Sequence, residues 1–404
     1  MRWVFRIGFA VLAVLVIGVL GVISAPWVPV LRDQFGADPH RAWLAEHQSH
    51  LAAADMFEDD FSDSRFIILA EMHGYAAVQD ADLTLVRHFA QRGPTTYLAE
   101  LDPGQAIAFN QYLAGGDESA ARAVFDAWAD QTLQWANTEF FAKLTALAAH
   151  NASSPQDEQI WFVGVDRPAS SERLAAQTAL VTAQASPGFD SVEAVQALNL
   201  ALAEAALGRP ETSSRYAHIV ANIDMLVATE SARDRTFYGL WGLFHGAKTT
   251  VNGATPLAVH LDAPGGAFEG AVGVISTMCL DACMNLMPTA ALPDALHGPD
   301  GTEYVEIPIT FDHVYLYRVR GVGDLKSVMG EADSALFRIA GDGTPFAAGA
   351  RLSQATGVLP LVQPFTYGGP AADIFDYLLV LRGSDALTPW RGEAHDITAS
   401  GQAD

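Results

Sequence analysis

The chain has 404 residues, of which 50% are hydrophobic and 17% are charged, and this composition excludes several classes of protein. Because half of its residues are apolar, the chain is not intrinsically disordered. Its 47 acidic and 23 basic side chains give a formal net charge of −24, which argues against a nucleic-acid-binding surface. Two cysteines in a chain of this length exclude a disulfide-rich scaffold.

The first 26 residues have the pattern of an export segment. Arg2 and Arg6 precede residues 7–25, which are apolar or small and carry no charge. As a helix this run would span roughly 28 Å, which is enough to cross a bilayer. It is longer than the apolar stretch of about 7–15 residues in a cleaved signal peptide, which favours an uncleaved signal-anchor over a cleaved signal. The positive-inside rule then places residues 27–404 outside the cytoplasm, as a periplasmic or extracellular domain held by one pass through the inner or plasma membrane.

The rest of the chain is predicted to form a linker at residues 27–37 and a single large α/β domain at residues 38–404. Asp38 and Pro39 are suited to begin a helix that extends to about Ala54. Strands and helices then alternate, with apolar runs predicting strands at 66–70, 95–99 and 160–165 and periodic patterns predicting helices at about 78–91, 103–115, 118–129 and 138–150. This alternation indicates βαβ units and a mostly parallel sheet flanked by helices.

The second half of the chain has a different character. Residues 171–236 are helical in pattern and are predicted to form a helical insertion. Residues 237–244 fit either a helix end or a strand. Beyond residue 253 the sequence contains short apolar runs at 256–261, 271–275, 305–309, 314–317 and 377–381, and the tail after Gly383 is expected to be irregular.

Acidic residues follow each of the first three predicted strands. Glu71 and His73 follow the first strand, Glu100 and Asp102 the second, and Asp166 the third. Because ligands of open parallel sheets bind beyond the carboxyl ends of the strands, we expect these side chains to meet. A carboxylate that holds a histidine in one tautomer raises its basicity, so such a cluster could activate water or bind a metal.

Each of these residues also has a purely structural interpretation. Asp102 precedes Pro103 and is placed to cap the next helix, and Asp166 could cap in the same way. Glu71 and His73 could lie in an ordinary surface turn. Glu100 ends an apolar strand where no cap is needed, which favours a functional role.

A second candidate region follows the helical insertion. His245 ends the aromatic and glycine-rich run 237–245, so it could reach a pocket or be an ordinary core or surface histidine. Arg233 and Arg235, on either side of Asp234, form either a surface ion-pair patch or a clamp for the substrate.

Other chemistries lack their motifs. The sequence contains no Gly-x-Ser-x-Gly elbow, no glycine-rich phosphate loop and no His-Glu-x-x-His helix, which disfavours serine esterases, nucleotide enzymes and zincins. Cys279 and Cys283 would lie one turn apart on a helix, where they could form a disulfide or remain unpaired. A zinc site would need two more ligands, and none is adjacent.

The order of these motifs resembles that of the erythromycin esterase superfamily, which includes the ChaN-like haem-binding lipoproteins and is distantly similar to the TIKI proteases. The similarity rests on Glu71-Met72-His73-Gly74 after the first strand, Glu100 after the second, the Arg233–Arg235 segment, His245, and a terminal strand at 375–380 followed by 387–389. In two places the sequence departs from the family. Ala70 stands where a glycine usually precedes the acid, and Lys248 stands where many members have a second histidine.

The resemblance implies an esterase-like hydrolase that acts on a small-molecule substrate and requires no cofactor. His73 would be the base that activates water, Glu71 and Glu100 would orient it, and His245 would stabilise charge or transfer a proton. The residues predicted to bind the substrate are Asp102, Asp166, Arg233 and Arg235. Two alternatives stay open: a ChaN-like protein that binds haem or iron without turnover, with Tyr75 as a candidate ligand, and a TIKI-like hydrolase in which the same cluster binds a divalent metal.

Overall fold

The computed structural model describes residues 35–392 except for residues 52, 54–56, 58–60, 169, 171, 173, 176–177, 179–184, 211–213, 300, 314–316 and 357–364. The predicted signal-anchor at 1–26 and most of the predicted linker lie outside the described residues. Within the described ranges, we find no helix with the length and apolarity that a membrane crossing requires.

The regular elements are numbered here in chain order. The α-helices are α1 (Asp38–Glu46), α2 (Ala76–Arg92), α3 (Pro103–Leu113), α4 (Ser119–Ala129), α5 (Thr138–Ser153), α6 (Val192–Leu207), α7 (Arg215–Val227), α8 (Leu257–Asp262), α9 (Val322–Met329) and α10 (Ala371–Ile374). The strands are β1 (Gln48–Ser49), β2 (Phe66–Glu71), β3 (Thr95–Ala99), β4 (Trp161–Gly164), β5 (Thr236–Gly242), β6 (Val272–Leu280), β7 (Met284–Pro288), β8 (Tyr304–Pro308), β9 (Asp312–His313), β10 (Tyr317–Val319), β11 (Ser334–Arg338), β12 (Ala355–Thr356) and β13 (Tyr377–Arg382). Single turns of 3-10 helix lie at Gln156–Glu158, Glu230–Ala232, Thr289–Ala291, Asp294–Leu296 and Pro345–Ala347.

The centre of the fold is an eight-stranded sheet in the order β1-β11-β13-β6-β2-β5-β3-β4. From β13 to β4 every neighbouring pair of strands is parallel. At the other edge, β11 runs antiparallel to β13, and β1 runs antiparallel to β11. The strands β12-β10-β9 and β7-β8 form two small separate sheets. The predicted α/β class, with a mostly parallel sheet flanked by helices, is therefore confirmed.

The apolar runs form strands because the sheet buries them on both faces. All six residues of β2 are buried, and β2 pairs with β5 on one side and with β6 on the other. Burial of each large apolar side chain stabilises the fold by about 1.5–3 kcal/mol relative to exposure. This burial on both faces explains why a continuous apolar run, rather than an alternating pattern, predicts β2, β3 and β4 correctly.

Two asparagine side chains form hydrogen bonds with the backbone of the edge strand β4. Asn110 of α3 donates to the carbonyl of Phe162 at 2.8 Å and accepts from its amide at 2.8 Å. Asn199 of α6 donates to the same carbonyl at 3.0 Å and accepts from the amide of Gly164 at 3.0 Å. These bonds satisfy the backbone groups that an edge strand would otherwise present to solvent.

A buried polar cluster lies between the sheet and the helices α2 and α5. Lys143 donates to Asp82 at 2.5 Å and to Gln79 at 2.8 Å. The hydroxyls of Tyr97 and Tyr238 donate to Asp82 at 2.6 and 2.8 Å. Because the buried ammonium and the buried carboxylate both have partners, their desolvation is offset by direct ionic contacts.

Several predicted boundaries are wrong. The first helix ends at Glu46 instead of continuing to Ala54, because residues 48–49 leave it to pair with β11 as β1. The predicted helical insertion at 171–236 contains two helices, with Ser191 and Gly208 capping the two ends of α6, but residues 185–190 are not helical and residue 236 already belongs to β5. Other parts of the insertion lie outside the described residues.

The apolar runs after residue 253 are of mixed kind. The runs at 271–275, 305–309 and 377–381 correspond to β6, β8 and β13, whereas 256–261 lies largely in the helix α8. Most of 314–317 lies outside the described residues, and β10 begins at Tyr317. From Gly383 to residue 392 the chain makes isolated bridges such as that between Tyr75 and Ala386, in agreement with an irregular tail.

The two cysteines form a disulfide, but not on a helix as their spacing suggested. Cys279 is near the end of β6, and Cys283 lies at the end of the turn that leads into β7. Their α-carbons are 6.1 Å apart, which is within the usual range for a disulfide. The bond therefore ties the start of β7 to the core strand β6.

Candidate active site

The site lies at the carboxyl ends of β2, β5 and β3, which are adjacent in the sheet in that order. Glu71 is the last residue of β2, and Glu100 directly follows β3. His73 and His245 lie in the segments that follow β2 and β5. Because the three strands are parallel, their ends bring the four side chains together at one edge. The strand pattern predicted this meeting for Glu71, His73 and Glu100, whereas His245 was expected in a second candidate region.

Glu71 and His73 form the central pair. The ring atom Nδ1 of His73 is 2.8 Å from Glu71 Oε1. A carboxylate can only accept, so Nδ1 carries the hydrogen and Nε2 is left as the basic nitrogen. Glu71 is 2% exposed, and its second oxygen, Oε2, is buried without a hydrogen-bond partner among the described residues. The His73 side chain is 31% exposed, so it remains open to a ligand.

The pKa of His73 is raised above its ordinary value of 6.5. Burial of the ring lowers the pKa, but the hydrogen bond that the ring donates to Glu71 and the negative charges of Glu71 and Glu100 outweigh this effect, while the positive charge of Arg215 opposes them. The environment therefore makes His73 a stronger base than a free histidine.

The main chain and ring of His73 are held by neighbouring segments. Its carbonyl accepts from Asn285 Nδ2 at 2.7 Å and from Gln134 Nε2 at 3.4 Å. The ring lies 4.5 Å from the ring of Trp135, measured between centroids. Gly74 follows with a φ of +113°, a conformation that strongly favours glycine.

Glu100 contacts His245, Arg215 and the Gly242 amide. Its Oε1 lies 3.1 Å from His245 Nε2 and accepts from Arg215 Nη2 at 2.9 Å. Its Oε2 accepts from the Gly242 amide at 3.0 Å and lies 3.9 Å from His73 Nε2. Burial alone would raise the pKa of Glu100, but its bond to His245 and the charges of His245, His73 and Arg215 lower it to about 2. Glu100 is therefore a permanent negative charge rather than a proton donor.

His245 turns one ring nitrogen to Glu100 and the other into the protein. Its Nδ1 is buried without a hydrogen-bond partner among the described residues. The edges of Trp241 and Phe244 pack against the ring, with centroids 5.7 and 5.6 Å away. A β-carbon on Gly242 would lie 3.1 Å from His73 Nε2 and 3.7 Å from His245 Cδ2, so the glycine lets both rings approach.

Ala70 packs against a glycine in the segment that carries His245. A β-carbon on Gly246 would lie 2.4 Å from the Ala70 β-carbon, so the segment that carries His245 packs directly on β2. A methyl group at position 70 is tolerated because position 246 has none. Lys248 pairs with Asp376 at 3.2 Å.

Arg215 is a site residue that the sequence reasoning missed. It is the first residue of α7, and its guanidinium binds both Asp166 and Glu100. Its side chain is 51% exposed, so it faces the open side of the site. Burial lowers its pKa, but the bonds and charges of Asp166 and Glu100 outweigh this, so the pKa is raised and the charge is permanent. Arg215 was hard to predict from the sequence, because Ser214 marks the start of a helix but does not show which residues the first turn of that helix contacts.

The predicted substrate-binding residues divide into two groups. Asp102 forms a capping box with Gln105, in which each side chain bonds the other's amide at 3.0 Å, and Asp166 binds Arg215. Arg233 and Arg235 precede β5, at the opposite end of the sheet, and Arg235 donates to the carbonyl of Phe189 at 3.1 Å. The structure does not bring the two arginines to the site.

The described residues were also compared with the needs of a metal or haem. Among them, no group of three or more His, Cys, Asp or Glu side chains has an arrangement suited to hold a metal ion. The hydroxyl of Tyr75 is buried and donates to the carbonyl of Ile309 at 2.7 Å, and burial raises its pKa. Tyr75 therefore does not fit the role of a haem ligand in this conformation.

Comparison with known proteins identifies the fold. Neither a protein-family model nor a curated protein matches the chain. Among solved structures, a protein from Bacillus cereus superposes with a TM-score of 0.54 at 13% identity, covering 88% of this chain and 99% of that one. A succinoglycan biosynthesis protein superposes with a TM-score of 0.54 at 12% identity, covering 86% and 97%. A histidine-to-asparagine mutant of the erythromycin esterase EreC, in its open conformation, superposes with a TM-score of 0.50 at 13% identity, covering 84% and 97%. The chain thus has the erythromycin-esterase-like fold that its motifs suggested.

Proposed function

We propose that the protein is an esterase-like hydrolase in which His73 takes a proton from water as the water attacks an ester or a related bond. The observation that carries the proposal is the 2.8 Å bond between His73 Nδ1 and the buried Glu71 carboxylate. This bond leaves Nε2 to accept the proton, and a positioned base of this kind typically contributes about 10²–10⁴-fold to a rate.

The reaction uses water alone as the second reactant. The water oxygen bonds to the carbonyl carbon while one of its protons moves to His73 Nε2, and Glu71 stabilises the imidazolium that forms. The tetrahedral intermediate then collapses, the ester C–O bond breaks, and His73 returns the proton to the leaving oxygen. The products are a carboxylic acid and an alcohol.

Arg215 is the group suited to stabilise the negative charge of the intermediate, because one ring nitrogen of His245 faces Glu100 and the other is buried. Arg215 presents a permanent positive charge at the open side of the site, and Glu100 holds both Arg215 and His245 in place. Removing a donor to such an oxyanion typically costs about 10²–10³-fold in kcat. Direct contact of Asp102 or Asp166 with the substrate stays a prediction, since both carboxylates already bind protein groups.

The fold supports this function, because one of the proteins with the same fold is an erythromycin esterase. The predicted signal-anchor adds the location: we propose that the hydrolase is held in the membrane by residues 1–26 and acts outside the cytoplasm on a small molecule. The disulfide fits this location, because disulfides persist in oxidising compartments.

The test is an ester panel with the full chain in detergent. Wild type should hydrolyse nitrophenyl esters, and His73→Gln should lose at least about 10²-fold in kcat while its circular dichroism stays unchanged. The exposed His297 provides a matched control, since His297→Gln should keep full activity. Turnover that survives in His73→Gln would refute the proposed mechanism.

The same preparation separates the two alternatives. Loss of turnover with a chelator, and its return with a divalent cation, would favour the metal-dependent hydrolase. A Soret band on titration with haem, together with no turnover on any ester, would favour the haem-binding protein.

A further inference from the structure

We propose that Asn285 is a positioning residue for His73, and that the Cys279–Cys283 disulfide holds Asn285 in place for this role, so that reduction of the disulfide lowers activity. The inference rests on the proposed role of His73, but one of its tests does not depend on turnover.

The contact between Asn285 and the His73 segment is direct. Asn285 is fully buried, and its Nδ2 donates to the main-chain carbonyl of His73 at 2.7 Å. The next residue, Leu286, donates its amide to the carbonyl of Gly74 at 3.0 Å. Two consecutive residues of β7 thus hold two consecutive peptide groups of the segment that carries the proposed base.

Gly74 packs closely against the side chain of Asn285. A β-carbon at position 74 would lie 2.5 Å from Asn285 Oδ1. Position 74 therefore has two reasons to be glycine, namely its positive φ and the close approach of the Asn285 amide. Gln134 adds a second link, since its Nε2 donates to the carbonyls of both His73 and Leu286.

The turn before Asn285 is one of the supports that set its position. β7 pairs with β8 in a separate two-stranded sheet, so the central sheet does not fix it through a strand ladder. The disulfide joins Cys283, two residues before Asn285, to Cys279 in β6. Cys279 lies opposite Leu381 of β13, inside the parallel sheet. The disulfide therefore connects the strand that carries Asn285 to the rigid core.

The turn itself is bent sharply enough to need support. Asp281, between the two cysteines, has a φ of +63°, and its carboxylate is paired with Lys326 and Arg382. A non-glycine residue in this region costs free energy, which the surrounding contacts must offset. Without the disulfide, fewer contacts hold this bend, and Asn285 would be less firmly placed.

The first test compares Asn285→Leu with wild type. Leucine has the same branching of side-chain heavy atoms but is bulkier and cannot donate, so a role in packing alone predicts similar losses at any buried asparagine. A positioning role predicts that kcat falls about 10- to 100-fold in Asn285→Leu with KM nearly unchanged. Asn151→Leu is the matched control, because Asn151 is also buried and bonds backbone atoms of Ile160 away from the site. Equal kcat losses in the two variants would overturn the proposal.

The second test measures the pKa of the His73 ring by NMR and needs no substrate. The charged groups that face this ring are Glu71, Glu100 and Arg215, and the bond to Glu71 contributes to the raised pKa. If Asn285→Leu lets the ring move away from Glu71, its pKa should fall, while Asn151→Leu leaves it unchanged. An unchanged pKa in Asn285→Leu would contradict the proposal even if no ester is hydrolysed. A fallen pKa without turnover would instead count only against the proposed hydrolase.

The third test addresses the disulfide. Dithiothreitol supplies two electrons and two protons, which break the S–S bond and leave two thiols, while the reagent becomes a cyclic disulfide. Because the chain has only two cysteines, any effect of reduction on the protein acts through this bond. Reduced wild type and the Cys279→Ser/Cys283→Ser variant should show the same fall in kcat and in the His73 pKa, and dithiothreitol should not change the variant further. Full activity and an unchanged pKa after reduction would refute this part.

Discussion

Arg215 donates to the carboxylate of Asp166 through two nitrogens. Its Nε lies 2.9 Å from each carboxylate oxygen, and its Nη2 also donates to one of them. Since Nη2 also donates to Glu100, the guanidinium links the residues that follow β3 and β4. A planar guanidinium bonds one carboxylate through two of its nitrogens and a second carboxylate at the same time, a fork geometry that the single nitrogen of a lysine lacks.

Arg215→Lys should therefore lower kcat by about 10²–10³-fold, because one ammonium nitrogen cannot take the places of both Nε and Nη2 and also present a donor to the substrate. Stability should change by less than about 1 kcal/mol, since the side chain is half exposed and solvent screens its ion pairs. Arg122→Lys, which alters a surface pair with Glu118, is the control and should leave kcat unchanged. Normal kcat in Arg215→Lys would show that the guanidinium geometry is not needed for the role proposed for Arg215.

The pH dependence of kcat/KM should report the environment of His73. The base must be neutral, so the rate should rise with pH through a pKa above 6.5, because the hydrogen bond and charge of Glu71 together with the charge of Glu100 outweigh the lowering effect of burial. Glu71→Gln removes that charge, so the rise should move to lower pH while the maximal rate decreases. If kcat/KM of Glu71→Gln rises at the same pH as that of wild type, the assignment of His73 as the base is contradicted.

The low pKa of Glu100 predicts a loss of stability in acid. The folded-state pKa of about 2 lies below the ordinary 4.5, so the stabilisation is present above about pH 4.5 and is lost as the pH falls towards 2. The difference corresponds to on the order of 3 kcal/mol in the free energy of unfolding. Urea titrations between pH 2 and 5 should show that the free energy of unfolding changes less with pH in Glu100→Gln than in wild type. Glu118→Gln, at an exposed position, should keep the wild-type profile.

Ala70 and Gly246 should be coupled in a double-mutant cycle. Gly246→Ala places a methyl group 2.4 Å from that of Ala70, and overpacking of this kind costs about 1–3 kcal/mol. Adding Ala70→Gly should recover most of that stability, and with it the activity that depends on His245. Denaturant unfolding of the four proteins gives the coupling energy, and strictly additive losses would show that the two positions do not compete for space.

The buried pair of Lys143 and Asp82 should be sensitive to the loss of one partner. Lys143→Met leaves the buried Asp82 carboxylate without its cation, although Tyr97 and Tyr238 still donate to it, and should lower the free energy of unfolding by about 3 kcal/mol. The double variant Lys143→Met/Asp82→Asn removes both charges and should be more stable than Lys143→Met alone. Urea unfolding decides this, and a double variant no better than the single one would argue that packing, not charge, sets the cost.

The sequence was most informative about the buried strands and the acidic residues that follow them. Continuous apolar runs are typical of strands covered on both faces, so β2, β3 and β4 could be predicted, and with them the acids at their ends. β5 was ambiguous because glycines interrupt it. The structure explains Gly239, since a β-carbon there would lie 2.0 Å from the Leu98 carbonyl.

Two errors in the site have physical causes. Arg215 lies 49 residues after Asp166, and only the packing of α7 brings them together, which no local pattern records. Arg233 and Arg235 were included because they precede His245 in the chain. In a parallel sheet, however, residues before a strand lie at its amino end, so the direction of β5 places both arginines away from the site.

The asparagines that close β4 also limit how molecules of this protein can associate. Asn110 and Asn199 occupy the outward amides and carbonyl of Phe162 and Gly164, so another polypeptide cannot add a strand there. A long apolar parallel sheet with an open edge would invite aggregation through strand addition. At this edge the side chains of α3 and α6 prevent it, so self-association through a continuous intermolecular sheet is blocked beside β4.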